Sequence, residues 1–176
     1  MKIIYIFILL FSFQSWGQNL YLAPALTMGF SSGDSEAKSS LLGPGIALSA
    51  GARFGVSMFE IEYKRFKFSG SQIGSPDYET QIYDSIFSGG LRVLLNNIFS
   101  IKAGLAIHHF EMDIFKDDIR QENIENEGEF IGFYAGMGIA HNINKMGQLF
   151  LESTLYPVSE VNLFIVDMQA GYRIYL

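Results

Sequence analysis

The segment FIVDMQAGYRIYL (164–176) sets Phe164, Val166, Met168, Ala170, Tyr172, Ile174 and Leu176 on one side of an extended chain. Asp167, Gln169, Gly171, Arg173 and Tyr175 fall on the other. Successive side chains of a strand point to opposite faces, so this period of two predicts a strand with one apolar face. The device recurs through the chain. Leu20, Leu22, Pro24, Leu26, Met28 and Phe30 alternate with small residues and Tyr21; Leu42, Pro44, Ile46 and Leu48 alternate with Gly43, Gly45, Ala47 and Ser49. A third segment sets Phe59, Ile61 and Tyr63 against Glu60, Glu62 and Lys64. Its next apolar pair, Phe66 and Phe68, falls on the opposite phase, which predicts a β-bulge near Lys64 and Arg65. Further alternating runs lie at Tyr83–Leu95, Phe99–His108, Ile131–Ile139 and Leu149–Tyr156, giving eight strands in all.

Composition limits the setting. Of 176 residues 49% are hydrophobic, 15% aromatic and only 17% charged, against roughly 25% charged in an average soluble domain. Such a chain is not disordered, and its net charge of −6 argues against a nucleic-acid partner. The absence of Cys removes disulfides and thiolate metal sites. Residues 1–17 read as a secretory signal peptide: Lys2, an apolar run from Ile3 to Phe13, then Ser15, Trp16 and Gly17 before Gln18. A spanning helix needs about 20 apolar residues, so the run is too short to be an anchor. Residues 18–176 are then one all-β domain carrying a net charge of −7.

The connections are expected to alternate in length. Short turns fall near Gly55–Ser57, Asn96–Asn97 and His141–Met146; longer loops are expected at Ser31–Leu41, Ser69–Thr80 and Asp113–Gly128. This is the pattern of an eight-stranded antiparallel up-and-down barrel with two unlike ends. Its two faces differ. The apolar face bears no charge in the main register, whereas the other carries Arg53, Lys64, Arg92, Lys102 and Arg173 with Glu60, Glu62, Asp84, Glu152 and Asp167, among Gly, Ala, Ser and Tyr. A soluble barrel would present a densely charged exterior. A charge-free face suits hydrocarbon, where a midplane Lys or Arg costs about 2–4 kcal/mol. The balanced polar face suits an interior just wide enough for side chains to fill. The expectation is a transmembrane β-barrel with a closed lumen and a charge network inside it. Tyr21, Phe99, Tyr172 and Tyr175 toward one end, and Phe30, Phe66, Phe68, Tyr83, Phe130 and Phe164 toward the other, are expected to form interfacial girdles.

Gln169, Gly171, Ile174 and Leu176 occupy a spacing that resembles the carboxy-terminal β-signal of Gram-negative outer-membrane proteins: polar, Gly, hydrophobic, hydrophobic. Leu176 stands where Phe is usual. With the eight alternating strands, residues 18–176 resemble the small outer-membrane β-barrel family that includes the OmpA transmembrane domain and OmpX. That resemblance implies recognition by the barrel-assembly machinery, a bacterial outer-membrane location among lipid and lipopolysaccharide, and both termini on the periplasmic side. It implies no cofactor.

Catalytic and metal signals are weak. His108 faces inward and His109 outward, and His141 lies in a turn, so no three-ligand cluster is visible. The lipid A deacylases, also eight-stranded, use a His and a Ser two residues apart; Phe110, Glu111 and Ile143 occupy that spacing here, so the motif is absent. Glu152 and His108 remain a conceivable acid–base pair. The segment 113–128 lies in an acidic stretch: from Glu111 to Glu129 eight acids face Lys116 and Arg120, interspersed with Ile114, Phe115, Ile119 and Ile124. It is a solvated loop or a site for a protein partner. The expected role is therefore non-enzymatic, a structural or surface-interaction protein. The alternatives are an accessory subunit of a larger outer-membrane complex and a lipid A-modifying enzyme.

Overall fold

The computed structural model describes residues 19–33, 41–72, 75–116, 119–120, 126–144, 147–158 and 163–176. The expected leader, residues 1–17, lies outside them. The strands are β1 (Asn19–Gly33), β2 (Leu41–Phe54), β3 (Ser57–Gln72), β4 (Ser75–Leu94), β5 (Phe99–Lys116), β6 (Ile119–Arg120), β7 (Asn126–Asn144), β8 (Gly147–Val158) and β9 (Leu163–Tyr175). Eight of them run in the order β4-β3-β2-β1-β9-β8-β7-β5, and β4 pairs back onto β5, which closes the sheet. β6 is a two-residue strand paired to the end of β5. The alternation thus gives the all-β, eight-stranded, antiparallel up-and-down barrel that the sequence predicts, with no helix among the described residues.

The registers fix its geometry. A row of paired residues starting at Glu129 on β7 passes through His109, Ser85, Arg65, Ile46, Leu26, Ala170 and Leu151, and returns to β7 at Ile139, ten residues from its start. A stagger of ten over eight strands tilts them by about 40° and leaves a bore narrow enough for side chains to span. The two-residue turn between β2 and β3 uses Gly55 at φ 63°, the left-handed conformation that tight hairpins require.

Burial alternates as the sequence predicts on all eight strands, with the apolar face outward. Leu26, Phe133 and Met137 are 73%, 74% and 68% exposed, on a face that in water would have no covering. Three expectations need correction. No bulge occurs at Lys64–Arg65: β3 pairs β4 without interruption from Ser57↔Val93 to Ser71↔Glu79, and the irregularity lies at Ser71/Gln72. Phe66 and Phe68 keep the inward phase of Glu60, Glu62 and Lys64, each 1% exposed, while Arg65 and Lys67 point outward. The change of polarity marks height in the barrel rather than a slip of register. Second, the girdles are thinner. Tyr21 is buried in the bore, Tyr175 packs against Tyr21, and Phe130 packs on Phe110; Phe30, Tyr83, Phe99, Phe164 and Tyr172 remain on the outer surface.

Third, the loops expected at 69–80 and 113–128 are largely sheet. β3 and β4 continue to Gln72 and from Ser75, β5 reaches Lys116 opposite Tyr78, and β7 begins at Asn126. Residues 117–118 and 121–125 of the acidic segment lie outside the described residues. Given the stagger, β3, β4, β5 and β7 stand about 8–15 Å above the described ends of the other four strands. The barrel has one tall wall.

Candidate functional site

Two places concentrate unusual chemistry: the bore, and the outer surface of the tall wall. The bore is layered. At the end near the termini, Tyr21, Ala23, Met58 and Phe150 form an apolar cluster. At the other end Leu41, Phe66, Phe68, Ile86, Ala106, Tyr134, Tyr156 and Ile165 form a second, joined by Ile82 and Phe110. Eight mutually paired charges lie between them, and Asp84 lies in the layer of the second. Small residues make this possible: a side chain on Gly90 would meet the Tyr134 hydroxyl at 2.6 Å, and one on Gly104 would meet the Tyr134 ring at 2.8 Å.

Inward positions of β3, β4, β5, β8 and β9 bring the charges together. Arg92 spends its whole guanidinium on three partners. Its Nη2 lies 2.8 Å from Glu60 Oε1, its Nη1 2.5 Å from Glu152 Oε1 and 3.1 Å from Ser100 Oγ, and its Nε donates to Glu60 at 3.2 Å. Lys102 Nζ lies 3.2 Å from both Glu62 and Glu152 and 3.9 Å from Glu60. Lys64 pairs with Asp167 and, at 3.2 Å, with Glu62. Arg173 donates to Glu152 at 3.2 Å and to Gln148 at 2.5 Å, with its guanidinium over the rings of Tyr21 and Phe150. Four acids and four bases therefore neutralise one another, all almost wholly buried. A buried charge stripped of its partner is very costly, so the match is a condition of folding.

The structure also separates residues that the sequence groups together. Arg53 lies outside the network, at the mouth, donating to Gly55 O at 3.0 Å. Asp84 forms its own pair, 3.2 Å from His108 Nδ1; His108 is stacked on Phe110 and edge-on to Tyr156, so Glu152 is not its partner. Sequence reasoning missed the uncharged members. The Tyr21 hydroxyl donates to Glu60, and Gln169 Nε2 bridges Glu62 and Glu152 at 3.0 and 2.9 Å. Their signal, a Tyr and a Gln on the polar phase, is too common to stand out. The β-signal positions divide the same way: Gln169 and Gly171 face the bore, Ile174 and Leu176 face outward.

On the outer surface, charge is confined to the upper part. Arg65, Lys67, His109, Glu111 and Glu129 are exposed there, and His109 Nε2 lies 3.6 Å from Glu111 Oε1. Below Arg65 the described outward side chains include no Asp, Glu, Lys or Arg, and His141 stands at the opposite rim.

No family model matches the chain, and no curated protein matches it. Solved structures do. Neisserial surface protein A superposes with a TM-score of 0.63 at 15% identity, over 89% of this chain and 97% of that one. Ail, the attachment invasion locus protein of Yersinia pestis, crystallised with the heparin analogue sucrose octasulfate, gives 0.65 at 9% identity over 90% and 99%. OprG from Pseudomonas aeruginosa gives 0.59 at 11% identity over 90% and 96%. The fold is that of the small outer-membrane β-barrels. At these identities the likeness extends to the path of the chain and no further.

Proposed function

We propose that this chain is an integral bacterial outer-membrane barrel with a closed, side-chain-filled lumen, and that it acts through surface contacts at its tall end rather than through transport or catalysis. The observation that carries the reading is the layering of the bore. A neutral charge cluster lies between apolar clusters toward both ends, an arrangement that supports a lumen without a wetted route for ions. The outward belt supports insertion in hydrocarbon, because every strand is paired around the barrel and the exposed face between His141 and Arg65 is uncharged. Both described ends of the chain sit at the short-turn end, which the reading places in the periplasm, so that the tall wall faces outward from the cell.

The tall wall is the part free to meet a partner. Its outward positions carry Glu111 and Glu129, and the sequence adds Asp117, Asp118, Glu122, Glu125 and Glu127 to the adjoining segment. A basic protein surface fits this charge; a sulfated polyanion such as the one bound to Ail is disfavoured there. A non-enzymatic role is supported by His108, which is 1% exposed and tied to Asp84 inside the aromatic layer.

The reading is tested by photo-crosslinking from Glu111 and Glu129 in intact cells. A discrete external protein adduct is the expected result, and adducts with periplasmic proteins alone would reverse the orientation. Stoichiometric co-purification in mild detergent would turn the reading toward a subunit of a larger complex, and lipid A altered in an expression-dependent way would turn it toward an enzyme.

A further inference from the structure

Arg65 and Lys67 have no role in the bore, and no acidic side chain partners either of them among the described residues. Both lie on the outward phase of β3, their Cα atoms about 7 Å apart along one face. With the stagger taken into account they bracket the height of Phe30 on β1, each within about 4 Å of it. They therefore stand at the upper edge of the apolar belt, pointing sideways into the membrane interface rather than up into solvent. An outward cation at the interface costs little, and an anion that belongs to the membrane makes the position favourable.

The surroundings supply the rest of a site. A groove of about 470 Å³ on the outer wall is lined by both cations together with Leu26, Pro44, Ile46 and Tyr83. The three aliphatic residues descend from the cations into the belt. Lys67 Nζ lies 5.5 Å from the centre of the Tyr83 ring, which holds the ammonium at the rim. Cations at the top and an apolar trough beneath match an anionic amphiphile seated with its headgroup up and its chain down. Glu111 lies two strands away on the row of Lys67 and is engaged with His109.

We infer that Arg65 and Lys67 form a phosphate clamp for a phosphorylated glycolipid of the outer leaflet, of the lipid A class, with one acyl chain along Leu26, Pro44 and Ile46. Two clustered cationic hydrogen-bond donors engage a headgroup with more than one phosphate better than they engage a single phosphodiester. The inference rests on the orientation proposed above, since the same surface turned inward would meet only glycerophospholipid.

The test is native mass spectrometry of the full chain refolded in neutral detergent and titrated with bisphosphorylated lipid A. Heat-modifiable gel mobility is recorded for each sample as an independent sign of the closed barrel. The expected result is one retained lipid A per chain, with affinity reduced about tenfold or more by Arg65→Gln/Lys67→Gln and by Lys67→Glu, mobility unchanged. Dephosphorylated lipid A is expected to bind as weakly as the variants allow. Unchanged binding by the variants, equal binding of phosphatidylglycerol, or no binding by a heat-modifiable wild type would each overturn the clamp. A wild type without heat-modifiable mobility would instead overturn the barrel reading on which it rests.

Discussion

Glu152 is the acid with the most partners, and its neutralisation is the sharpest probe of the proposed closed bore. Arg92, Lys102 and Arg173 approach it at 2.5, 3.2 and 3.2 Å, and Gln169 at 2.9 Å. Glu152→Gln preserves the shape and removes the charge, leaving four buried cations to share three acids. Breaking a buried ion pair from one side costs about 3–5 kcal/mol. With a urea slope of about 2 kcal/mol per M, the unfolding midpoint falls by about 1.5–2.5 M. The assay is urea unfolding of the barrel in lipid vesicles, followed by far-ultraviolet circular dichroism and by the heat-modifiable band. Two further variants isolate the electrostatic cause. Arg173→Met added to Glu152→Gln restores the balance at three against three and is expected to recover about 1–3 kcal/mol. Arg53→Gln, outside the network, is expected to change stability by no more than about 0.5 kcal/mol. A Glu152→Gln midpoint equal to that of the wild type would refute the reasoning, because it would mean that water already solvates these charges.

Four shorter predictions accompany it. In planar bilayers the purified protein is expected to pass little or no current; large steady conductance steps would contradict the layered bore. Gly90→Val would set its Cβ 2.2 Å from the Ala103 carbonyl oxygen and 2.6 Å from the Tyr134 hydroxyl and is expected to cost about 1–3 kcal/mol or more in the same unfolding assay; a midpoint equal to that of the wild type would contradict the close packing there. Tyr21→Phe removes the hydroxyl that donates to Glu60 and is expected to cost about 1–3 kcal/mol, measured as a lowered urea midpoint. Intact-mass measurement of protein extracted from outer membranes is expected to give a chain beginning at Gln18; retention of residues 1–17 would contradict export by a cleaved leader.

The barrel was legible in the sequence because alternation is a local property: FIVDMQAGYRIYL declares its two faces without knowing its neighbours. What the bore contains was legible as a set of residues but not as a set of pairs. Which acid meets which base depends on the stagger of ten, and a strand carries no mark of its own offset. Hence Asp84, counted with the network, pairs with His108, and Arg53, on the right phase, ends at the mouth. Phe66 and Phe68 misled for a different reason. Outside hydrocarbon the inside of a barrel can be apolar and its outside charged, so polarity inverts where the wall leaves the membrane while the register stays whole. The same inversion hid Arg65 and Lys67, which read as part of an irregularity rather than as an outward pair. The tall wall was hidden because Ser69–Thr80 shows no alternation, with Ile73 and Tyr78 isolated among Ser, Gly, Asp, Glu and Thr, and nothing in such a run separates a solvated hairpin from a loop.

The partners of the charge cluster come from opposite sides of the seam. β1 and β9, the first and last strands, meet only at closure, and Lys64 on β3 finds Asp167 on β9 across that join. An unrolled sheet would keep the neighbouring pairs Arg92–Glu60 and Arg173–Glu152 but would part Lys64 from Asp167, and Arg92 and Lys102 from Glu152. For this molecule, becoming a cylinder and completing its electrical balance are one event.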